Sequence, residues 1–458
     1  MYAYLSTFLC TTVTANSAPI PAPLPLGDER LPAGRRLETD AFLGPWSERS
    51  GVHSSDRDRA VLAAVVFTVL FSQLLLYPGV ATLVATLGAD ASTSPLAETA
   101  LSASMWFLVA EFVGYVAFVG LWGLASDVTG RRTPFIVAGA LAGAGGYVAL
   151  AVAPAIWSLS FEAVLVLRVF QGAMTIGAFS LTITMLMDLT GGHGRNMGAA
   201  GIAIGLGAAL GAPVGGQLTT VDPLAPLYVA GGLLALVGAL VTAVPDRAPG
   251  QRRTARAILE GVRRRPALVI PYAFGFVDRL TAGFFALVGT LYFQEVFGLD
   301  AAQTGLVLAC FFAPFALLQY PMGVLSDRIG RVLPVVLGSM LYGLGILAVG
   351  AASTVALAAM AMVGVGVLGA LVAPATMALV TDLADPEERG VAMGGFNFAG
   401  SLGFLGGFLV GGTVADAYGY ALAFLVVGAL EIAIALVAVP AFLRLSLGTS
   451  GLTRDGDV

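Results

Sequence analysis

The strongest constraint in this sequence is a series of long apolar runs separated by short polar breaks. A helix needs about 20 apolar residues to cross the hydrocarbon core of a bilayer. The stretch from residue 60 to residue 443 contains twelve runs that approach or exceed this length. Inside a membrane every backbone polar group must be satisfied within the protein, and a continuous apolar run achieves this as a helix. The sequence therefore predicts an all-α membrane protein and excludes a water-soluble fold.

The predicted spans are numbered 1 to 12 along the chain. They cover residues 60–87, 99–124, 133–153, 157–187, 197–218, 224–244, 267–293, 302–325, 333–351, 354–381, 391–413 and 419–443. One longer break, between spans 6 and 7, divides them into two sets of six. The predicted organisation is a tail at 1–58, a six-helix bundle at 59–244, a linker at 245–266, a second six-helix bundle at 267–443 and a tail at 444–458.

The first tail is rich in proline, alanine, serine and charged residues. Such a composition cannot bury enough apolar surface to pack, so we expect residues 1–58 to be disordered. A cleaved signal peptide ending near Ala15–Ala18 is the alternative for the first residues. No basic residue precedes the short apolar stretch, and this argues against a signal peptide.

Composition also limits the chemistry. All 23 basic residues are arginines. A Walker A loop and a Schiff-base site both require a lysine, so ATP hydrolysis by that loop and Schiff-base chemistry are excluded. Two cysteines, Cys10 and Cys310, cannot form a disulfide framework, and two isolated histidines, His53 and His193, make no metal site. We predict no enzymatic activity, no metal, no cofactor and no nucleic-acid partner.

The arginines predict the topology. Loops that follow even-numbered spans carry arginines, whereas loops that follow odd-numbered spans carry none. The longest of these loops, the 245–266 linker, has seven arginines. Positively charged loops stay on the cytoplasmic side of a membrane. Both termini are therefore predicted to be cytoplasmic, in a multi-pass protein of the plasma membrane.

The two halves repeat one another. The segment Gly123–Pro134 recurs as Gly323–Pro334, with Gly, Ser, Asp, Gly, Arg and Pro at equivalent positions. Further along, Asp188 recurs as Asp382. A spaced set of glycines in span 5 also recurs in span 11. The chain is predicted to contain a duplicated six-helix unit.

The Gly-x-x-x-Asp-x-x-Gly-Arg-Arg loop between spans 2 and 3 resembles the signature loop of the major facilitator superfamily, and its echo lies between spans 8 and 9. The resemblance covers residues 60–443. It implies twelve helices in two pseudo-symmetric six-helix bundles, and a latch that stabilises the outward-facing state. The latch positions are Gly123, Asp127, Gly130, Arg131, Arg132, Asp188, Gly323, Asp327, Gly330 and Arg331. A plain topological anchor of basic residues is the alternative.

Charged residues inside the spans are candidates for proton coupling, because a charge at the bilayer centre is costly and usually functional. Arg168 in span 4, followed by Gln171, resembles the family motif whose buried arginine is associated with proton coupling. Span 7 carries Asp278 and Arg279, and the resemblance places this span at the cavity wall. Asp278 is the first proton-site candidate, with a structural ion pair as the alternative. Glu111 in span 2 is the second.

Two carboxylates and a set of polar residues complete the candidates. Glu431 lies in span 12, which the resemblance places outside the cavity, so we expect it to bond to a neighbour or to tilt toward water. Residues that a substrate could contact are Gln73, Tyr77, Gln171 and Asn397. Tyr77 precedes a Pro-Gly pair, which can break a spanning helix and free its carbonyl groups.

Span 5 ends in a glycine-rich run that lets helices pack backbone to backbone. Its helix-packing positions are Gly207, Gly211, Pro213, Gly215 and Gly216. The run resembles the motif of the proton-coupled drug and metabolite antiporter branch, with the proline one position later than in that motif.

Together these features predict a secondary transporter that works by alternating access as a monomer in the lipid bilayer. The leading hypothesis is proton-coupled efflux of a small amphipathic or apolar compound. The alternatives are a proton symporter or uniporter for a metabolite, or a membrane receptor or scaffold that has kept the fold without transport. The expected partners are the bilayer, a small-molecule substrate, and protons or another coupling ion.

Overall fold

The computed structural model describes residues 44–88, 94–157, 159–189, 193–246, 266–384 and 389–452. The chain divides into two units, Met1–Ser50 and Gly51–Val458, and the twelve predicted spans belong to the second. Most of the predicted tail at 1–58 and nearly all of the predicted linker lie outside the described residues, as do residues 453–458 of the second tail.

The described chain is helical throughout, and this confirms the predicted fold class. In the first half, span 1 comprises Gly44–Leu74 and the short helix Val80–Thr86, and the remaining helices are Ala100–Thr129, Thr133–Trp157, Phe161–Met187, His193–Val221 and Ala225–Val241. In the second half, span 7 comprises Val269–Phe284, the π-helical turn Phe285–Gly289 and Thr290–Phe297, and the remaining helices are Ala301–Ile329, Val332–Gly350, Val355–Leu383, Arg389–Tyr418 and Tyr420–Leu452.

Ten of the described helices are long and apolar enough to cross a membrane, and Ala225–Val241 is a shorter apolar helix. The predicted spans agree with these helices to within a few residues at most ends. Two ends differ more. The first helix begins at Gly44, inside the segment predicted as a tail, because no proline interrupts the chain between Pro45 and Pro78. The last helix continues to Leu452, nine residues past the predicted end at 443.

Glycines set the pairing of helices within each half. Gly207 and Gly211 of span 5 lie against the backbone of span 1, where a Cβ on Gly211 would be 2.7 Å from the Cβ of Leu74. In the second half, Gly403 and Gly407 of span 11 lie against span 7 in the same way. This close approach is the packing mode of small residues in membrane helices. The sequence repeat therefore corresponds to an equivalent packing of span 5 on span 1 and span 11 on span 7.

The last glycine of each run faces the other half. Gly216 of span 5 contacts Ala301 at the start of span 8, and Gly412 of span 11 contacts Met105 of span 2. At the same end of the bundle, Thr99 donates a hydrogen bond of 2.7 Å to Asp416. The two halves are thus joined at the end opposite the Gly123–Pro134 loop.

Span 2 shows how burial changes between the two ends. It is buried at all but one position from Leu101 to Phe112, whereas half of the positions from Val113 to Gly130 are exposed. The second segment leads to the Gly123–Pro134 loop.

Candidate functional site

A buried ion pair lies at the centre of the first half. Arg168, two turns after the start of the span 4 helix, and Glu111, three turns after the start of the span 2 helix, are both fully buried. A terminal nitrogen of Arg168 donates to the Oε2 atom of Glu111 at 2.7 Å, and the other donates to the Oε1 atom of Gln171 at 2.6 Å. A charged group at this depth needs such partners, because an isolated charge in a low-dielectric interior is costly. The pair joins two spans through one guanidinium.

Further hydrogen bonds extend the ion pair into a network. The amide nitrogen of Gln171 donates to the hydroxyl of Thr175 at 2.8 Å. The hydroxyl of Tyr115 donates to the Oε1 atom of Glu111 at 3.4 Å. Spans 2 and 4 therefore share a polar layer of one cation, one anion and several neutral groups.

Close helix packing is what brings the network together. Gly172 of span 4 lies against the backbone of Glu111, and Gly114 of span 2 lies against the backbone of Val169. A Cβ on Gly146 of span 3 would be 2.7 Å from the Cβ of Gln171. Larger residues at these glycines would separate the helices, so the small residues position the charged ones.

Two aromatic rings cover the guanidinium. The Cζ atom of Arg168 lies 4.6 Å from the ring centre of Phe107 and 5.6 Å from that of Tyr147. A cation above an aromatic face at this distance is stabilised by the ring quadrupole. The rings also keep the ion pair away from lipid.

Five buried polar atoms lie in this region without a well-formed hydrogen bond in the described part of the chain. They are the Oγ of Ser72, the Nε2 of Gln73, the hydroxyls of Tyr77 and Tyr147, and the Nε of Arg168. Gln73 interacts with both Tyr77 and Glu111, so span 1 joins the same layer. Buried polar groups in native proteins usually have partners. Tyr147 likewise interacts with Arg168 and Gln171, so this layer holds several polar groups whose hydrogen bonds are incompletely formed.

The break in span 1 reaches across to the second half. The helix stops at Leu74 and resumes at Val80, and Tyr77 and Pro78 lie in the break. The carbonyl of Pro78 accepts a hydrogen bond of 2.5 Å from the amide of Gln294 in span 7. A carbonyl freed by the Pro-Gly pair is therefore used between the halves.

Aromatic rings form the contact between the network and span 11. Phe112, next to Glu111, stacks on Phe404 with ring centres 4.7 Å apart, and it also meets Phe408 at 5.4 Å. Tyr77 meets Phe408 edge to face at 6.5 Å. The buried ion pair is thus adjacent to an aromatic surface shared by both halves.

The structure separates Asp278 from this site. Asp278 is 8% exposed, and its charge acts on Tyr342 of span 9 and Glu431 of span 12. It therefore faces the interior of the second half, rather than the space between the halves that the sequence predicted. Arg279 points elsewhere, with its Cγ 3.1 Å from the Cβ position of Gly400 in span 11. Both side chains are described, and no ion pair joins them.

Two other predicted residues also lie apart from the network. Asn397 is exposed on span 11. Glu431 was expected to bond to a neighbour or to tilt toward water, and this expectation was wrong. Its side chain is fully buried, and neither carboxylate oxygen has a hydrogen-bond partner in the described part of the chain.

The predicted latch contains ion pairs in both halves. Arg132 pairs with Asp188 at the end of span 4, and Arg331 pairs with Asp382 at the end of span 10 with a distance of 3.2 Å. Arg331 also contacts Asp327. Of the two adjacent arginines of the latch, Arg132 is the one that pairs with Asp188, and Arg131 is exposed.

This cluster has a further member, Asp246, that the sequence did not predict. Both carboxylate oxygens of Asp246 accept the backbone N–H of Arg132 at 3.0 Å. An acceptor at this position satisfies a free donor at the start of span 3. The sequence sign of this contact is an acidic residue directly before Arg247, the first arginine of the 245–266 linker.

A bundle of membrane-crossing helices in two repeated halves, with a buried ion pair beside the surface between them, defines a multi-pass membrane transporter. Residues 61–300 and 272–455 match the profile of the Major Facilitator Superfamily. The chain belongs to that family, whose members are transporters of small molecules and not enzymes.

Individual relatives agree with this assignment. An uncharacterized MFS-type transporter of Methanocaldococcus jannaschii is 33% identical over 162 residues, which are 35% of this chain and 42% of that protein. The uncharacterized MFS-type transporter YfkF of Bacillus subtilis is 26% identical over 59% of this chain and 66% of its own length. The matched regions thus cover less than two thirds of each relative.

A solved structure supports the fold. A bacterial homolog of the human lysosomal transporter Spinster, in an inward-facing and unoccupied conformation, superimposes with a TM-score of 0.70 at 13% identity. The match covers 85% of this chain and 98% of that protein.

Proposed function

We propose that this protein is a proton-coupled exporter of a small amphipathic or apolar compound, and that Glu111 and Arg168 form its coupling centre. The observation that carries the proposal is the buried ion pair, with unsatisfied polar atoms around it, next to the aromatic surface between the halves. The protein acts as a monomer in the plasma membrane with both termini in the cytoplasm.

Proton binding at Glu111 changes the charge of the whole network by one. With Glu111 ionised, Arg168 is neutralised by its partner. With Glu111 protonated, the guanidinium retains its charge and requires another acceptor, since an unpaired buried charge is costly. Gln73 and Tyr77 of span 1 interact with Glu111, so a change in the charge of Glu111 acts on span 1. A substrate that replaces the proton restores the balance, and this exchange is the basis of antiport.

The chemistry of the site favours an amphipathic substrate. Phe112, Phe404 and Phe408 pack against one another at the contact between the halves, so an apolar group would meet their rings when this contact opens. Tyr77 meets Phe408, and its hydroxyl is a donor without a well-formed hydrogen bond in the described part of the chain. The glycine run of span 5 supports export, because it resembles the antiporter motif.

Alternating access follows from the arrangement of the ends. Thr99 and Asp416 join the halves at one end, while half of the residues from Val113 to Gly130, at the other end of span 2, are exposed. If the arginine-rich loops are cytoplasmic, this is an inward-facing state, like that of the Spinster homolog. The Arg132–Asp188 and Arg331–Asp382 pairs are formed in this state, each within one half, so they hold the two latch loops in position.

A proton symporter or uniporter for a polar metabolite is the second candidate. The five unsatisfied polar atoms favour it, because hydroxyl-rich or anionic metabolites present many acceptors. A non-transporting receptor is disfavoured by the buried ion pair, since a scaffold gains nothing from charges that are costly to bury.

The test is transport by purified protein in proteoliposomes with an imposed pH gradient. The wild type should accumulate an exported compound against its gradient when the pH gradient is present. Glu111→Gln keeps an acceptor for Arg168 but cannot titrate, so it should lose gradient-driven accumulation and keep exchange of substrate for substrate. Glu98→Gln, an exposed loop carboxylate, is the matched control and should behave as wild type. Gradient-driven accumulation by Glu111→Gln at the wild-type rate would contradict the assignment.

A further inference from the structure

The two contacts between the halves differ in length. On one side, span 5 packs on span 8 from Gly216 to Gly205, where a Cβ would be 2.6 Å from the Cβ of Ala316. One turn further along, the Cβ position of Gly201 is still 3.8 Å from the Oε1 atom of Gln319. The stretch from Gly216 to Gly201 measures about 22 Å along the helix axis. Spans 5 and 8 therefore stay together through most of a hydrocarbon core that is about 30 Å thick.

Spans 2 and 11, on the other side, are in contact over a shorter distance. Gly412 lies against Met105, and Phe112 stacks on Phe404. The stretch from Met105 to Phe112 measures about 10 Å along span 2. Gly123 lies three turns beyond Phe112 on the same face of that span, and a Cβ there would lie more than 4 Å from every neighbouring helix of the described chain. Spans 2 and 11 therefore separate toward the end of the bundle that carries the arginine-rich loops.

A pair of equivalent residues in the repeat shows the same difference. The glycines of span 5 recur in span 11 at a shift of 196 positions, so Gly201 corresponds to Asn397. Gly201 faces span 8, whereas Asn397, which lies two turns before Phe404 on the same face of span 11, is exposed. The space between the halves is thus a wedge that is closed between spans 5 and 8 and open between spans 2 and 11. We call its open side the side opening.

Each helix at the side opening stays attached to its own half. The indole N–H of Trp122 in span 2 donates to the carbonyl of Ala173 in span 4 at 2.6 Å. The hydroxyl of Tyr272 in span 7 donates to the carbonyl of Ala392 in span 11 at 2.7 Å. The gap is therefore a separation of two intact halves, and neither helix has come loose from its neighbours.

The walls of the side opening differ in polarity. Val116 and Val119 continue the Phe112 face of span 2 and are half-buried. Across the gap, Asn397 is exposed, and the half-buried Arg279 of span 7 packs against span 11 one turn away from it. One wall thus suits an apolar group and the other a polar group. A molecule with both collects in the bilayer before it meets the protein, because its apolar surface leaves water there.

We propose that the side opening is open to lipid, and that the substrate enters the site through it from the leaflet on the side of the arginine-rich loops. The opposite side, between spans 5 and 8, stays closed to lipid. The entry of substrate rests on the proposed function. The access of lipid does not, since an acyl chain of the bilayer would fill the gap when no substrate is present.

Lipid access to single cysteines tests the opening without any transport. In a background with Cys10 and Cys310 replaced by serine, Gly123→Cys and Asn397→Cys each carry a bimane fluorophore in the gap, and Gln319→Cys carries it on the closed side. In phosphatidylcholine that is brominated on its acyl chains, the first two should lose most of their fluorescence, and the third should keep most of it. Equal quenching at all three positions would overturn the proposal. Quenching in the gap by aqueous iodide but not by brominated lipid would overturn it as well.

Transport provides the second test and separates the route from the coupling. Asn397→Trp narrows the side opening, so it should lower the initial rate of uptake of a bilayer-soluble substrate and leave its final pH-driven accumulation unchanged. Val437→Trp, at an exposed position of span 12, is the matched control and should keep the wild-type rate. A wild-type rate in Asn397→Trp would overturn the route. A wild type that shows no pH-driven accumulation would instead contradict the proposed function, and the quenching result would still decide whether the gap admits lipid.

Discussion

At the scale of single residues, the proposed coupling centre depends on the geometry of Arg168. Its guanidinium reaches Glu111 and Gln171 at the same time through two nitrogens. A lysine in its place keeps the charge but presents a single point donor, so it cannot hold both partners in the same planar arrangement. The arginine is thus required for its shape as well as its charge.

Arg168→Lys should therefore impair transport strongly. Breaking a buried ion pair costs about 3–5 kcal/mol, and part of that cost should appear as a lower Tm. We expect a loss of transport rate of at least tenfold, measured per folded molecule in proteoliposomes. Arg57→Lys, at an exposed position, is the matched control and should leave rate and Tm unchanged. An Arg168→Lys protein with the wild-type rate would show that transport does not require a guanidinium that binds both partners through two nitrogens.

The loop cluster permits an equally local test with neighbouring residues. Arg132 pairs with Asp188 and its backbone N–H is held by Asp246, whereas Arg131 is exposed. Arg132→Ala should slow turnover, because the latch loses its cation, while Arg131→Ala should have a much smaller effect. Transport per molecule and abundance are measured for both. Slower transport by Arg131→Ala than by Arg132→Ala would show that Arg131, and not Arg132, is the cation of the latch.

At the scale of the helical element, glycines control how closely spans approach. A Cβ on Gly407 would meet the carbonyl of Leu280 and lie 2.7 Å from the backbone nitrogen of Phe284. Gly407→Ala should therefore force spans 7 and 11 apart, and overpacking of this kind costs about 1–3 kcal/mol. Gly120→Ala is the matched control, since nothing lies within 4 Å of a Cβ there. Thermal unfolding in detergent should show a lower Tm for the first variant and an equal or higher Tm for the second.

The spanning helices could be predicted from the sequence, but the faces by which they pack against one another could not. Apolar length predicted the spans, and the repeat of Gly123–Pro134 predicted the two halves. Sequence also identified Arg168 as a functional candidate. Its partner Glu111 lies 57 positions away on another span, and no local pattern specifies which helix packs beside which. The two were therefore predicted separately and not as a pair.

Asp278 shows the same limit more clearly. Helical periodicity shows that it points away from Arg279, but periodicity does not say which of the two faces the space between the halves. The family resemblance placed span 7 at the cavity, and Asp278 was assigned to that wall. In the structure that residue faces spans 9 and 12 instead. The direction depends on how span 7 packs on its neighbours, at glycines such as Gly283 and Gly407, and a single sequence does not reveal that packing.

At the scale of the whole molecule, alternating access requires the joined end of the bundle to open. The Thr99 hydroxyl and the Asp416 carboxylate are 2.7 Å apart across the two halves. A disulfide between Thr99→Cys and Asp416→Cys, in a background with Cys10 and Cys310 replaced by serine, should hold this end closed. Transport should stop on oxidation and return on reduction, and each single variant serves as control. Continued transport by fully crosslinked protein would contradict the rocking of two halves.

The central claim is that substrate and proton compete at the Glu111–Arg168 centre, and proton release on substrate binding tests it most directly. Purified protein in weakly buffered detergent solution, with a pH-indicator dye, is mixed with a compound that it transports. The account predicts release of protons that saturates with substrate concentration and is absent in Glu111→Gln, whereas Glu98→Gln releases protons as the wild type does. Proton uptake by the wild type, or equal release by Glu111→Gln, would contradict it.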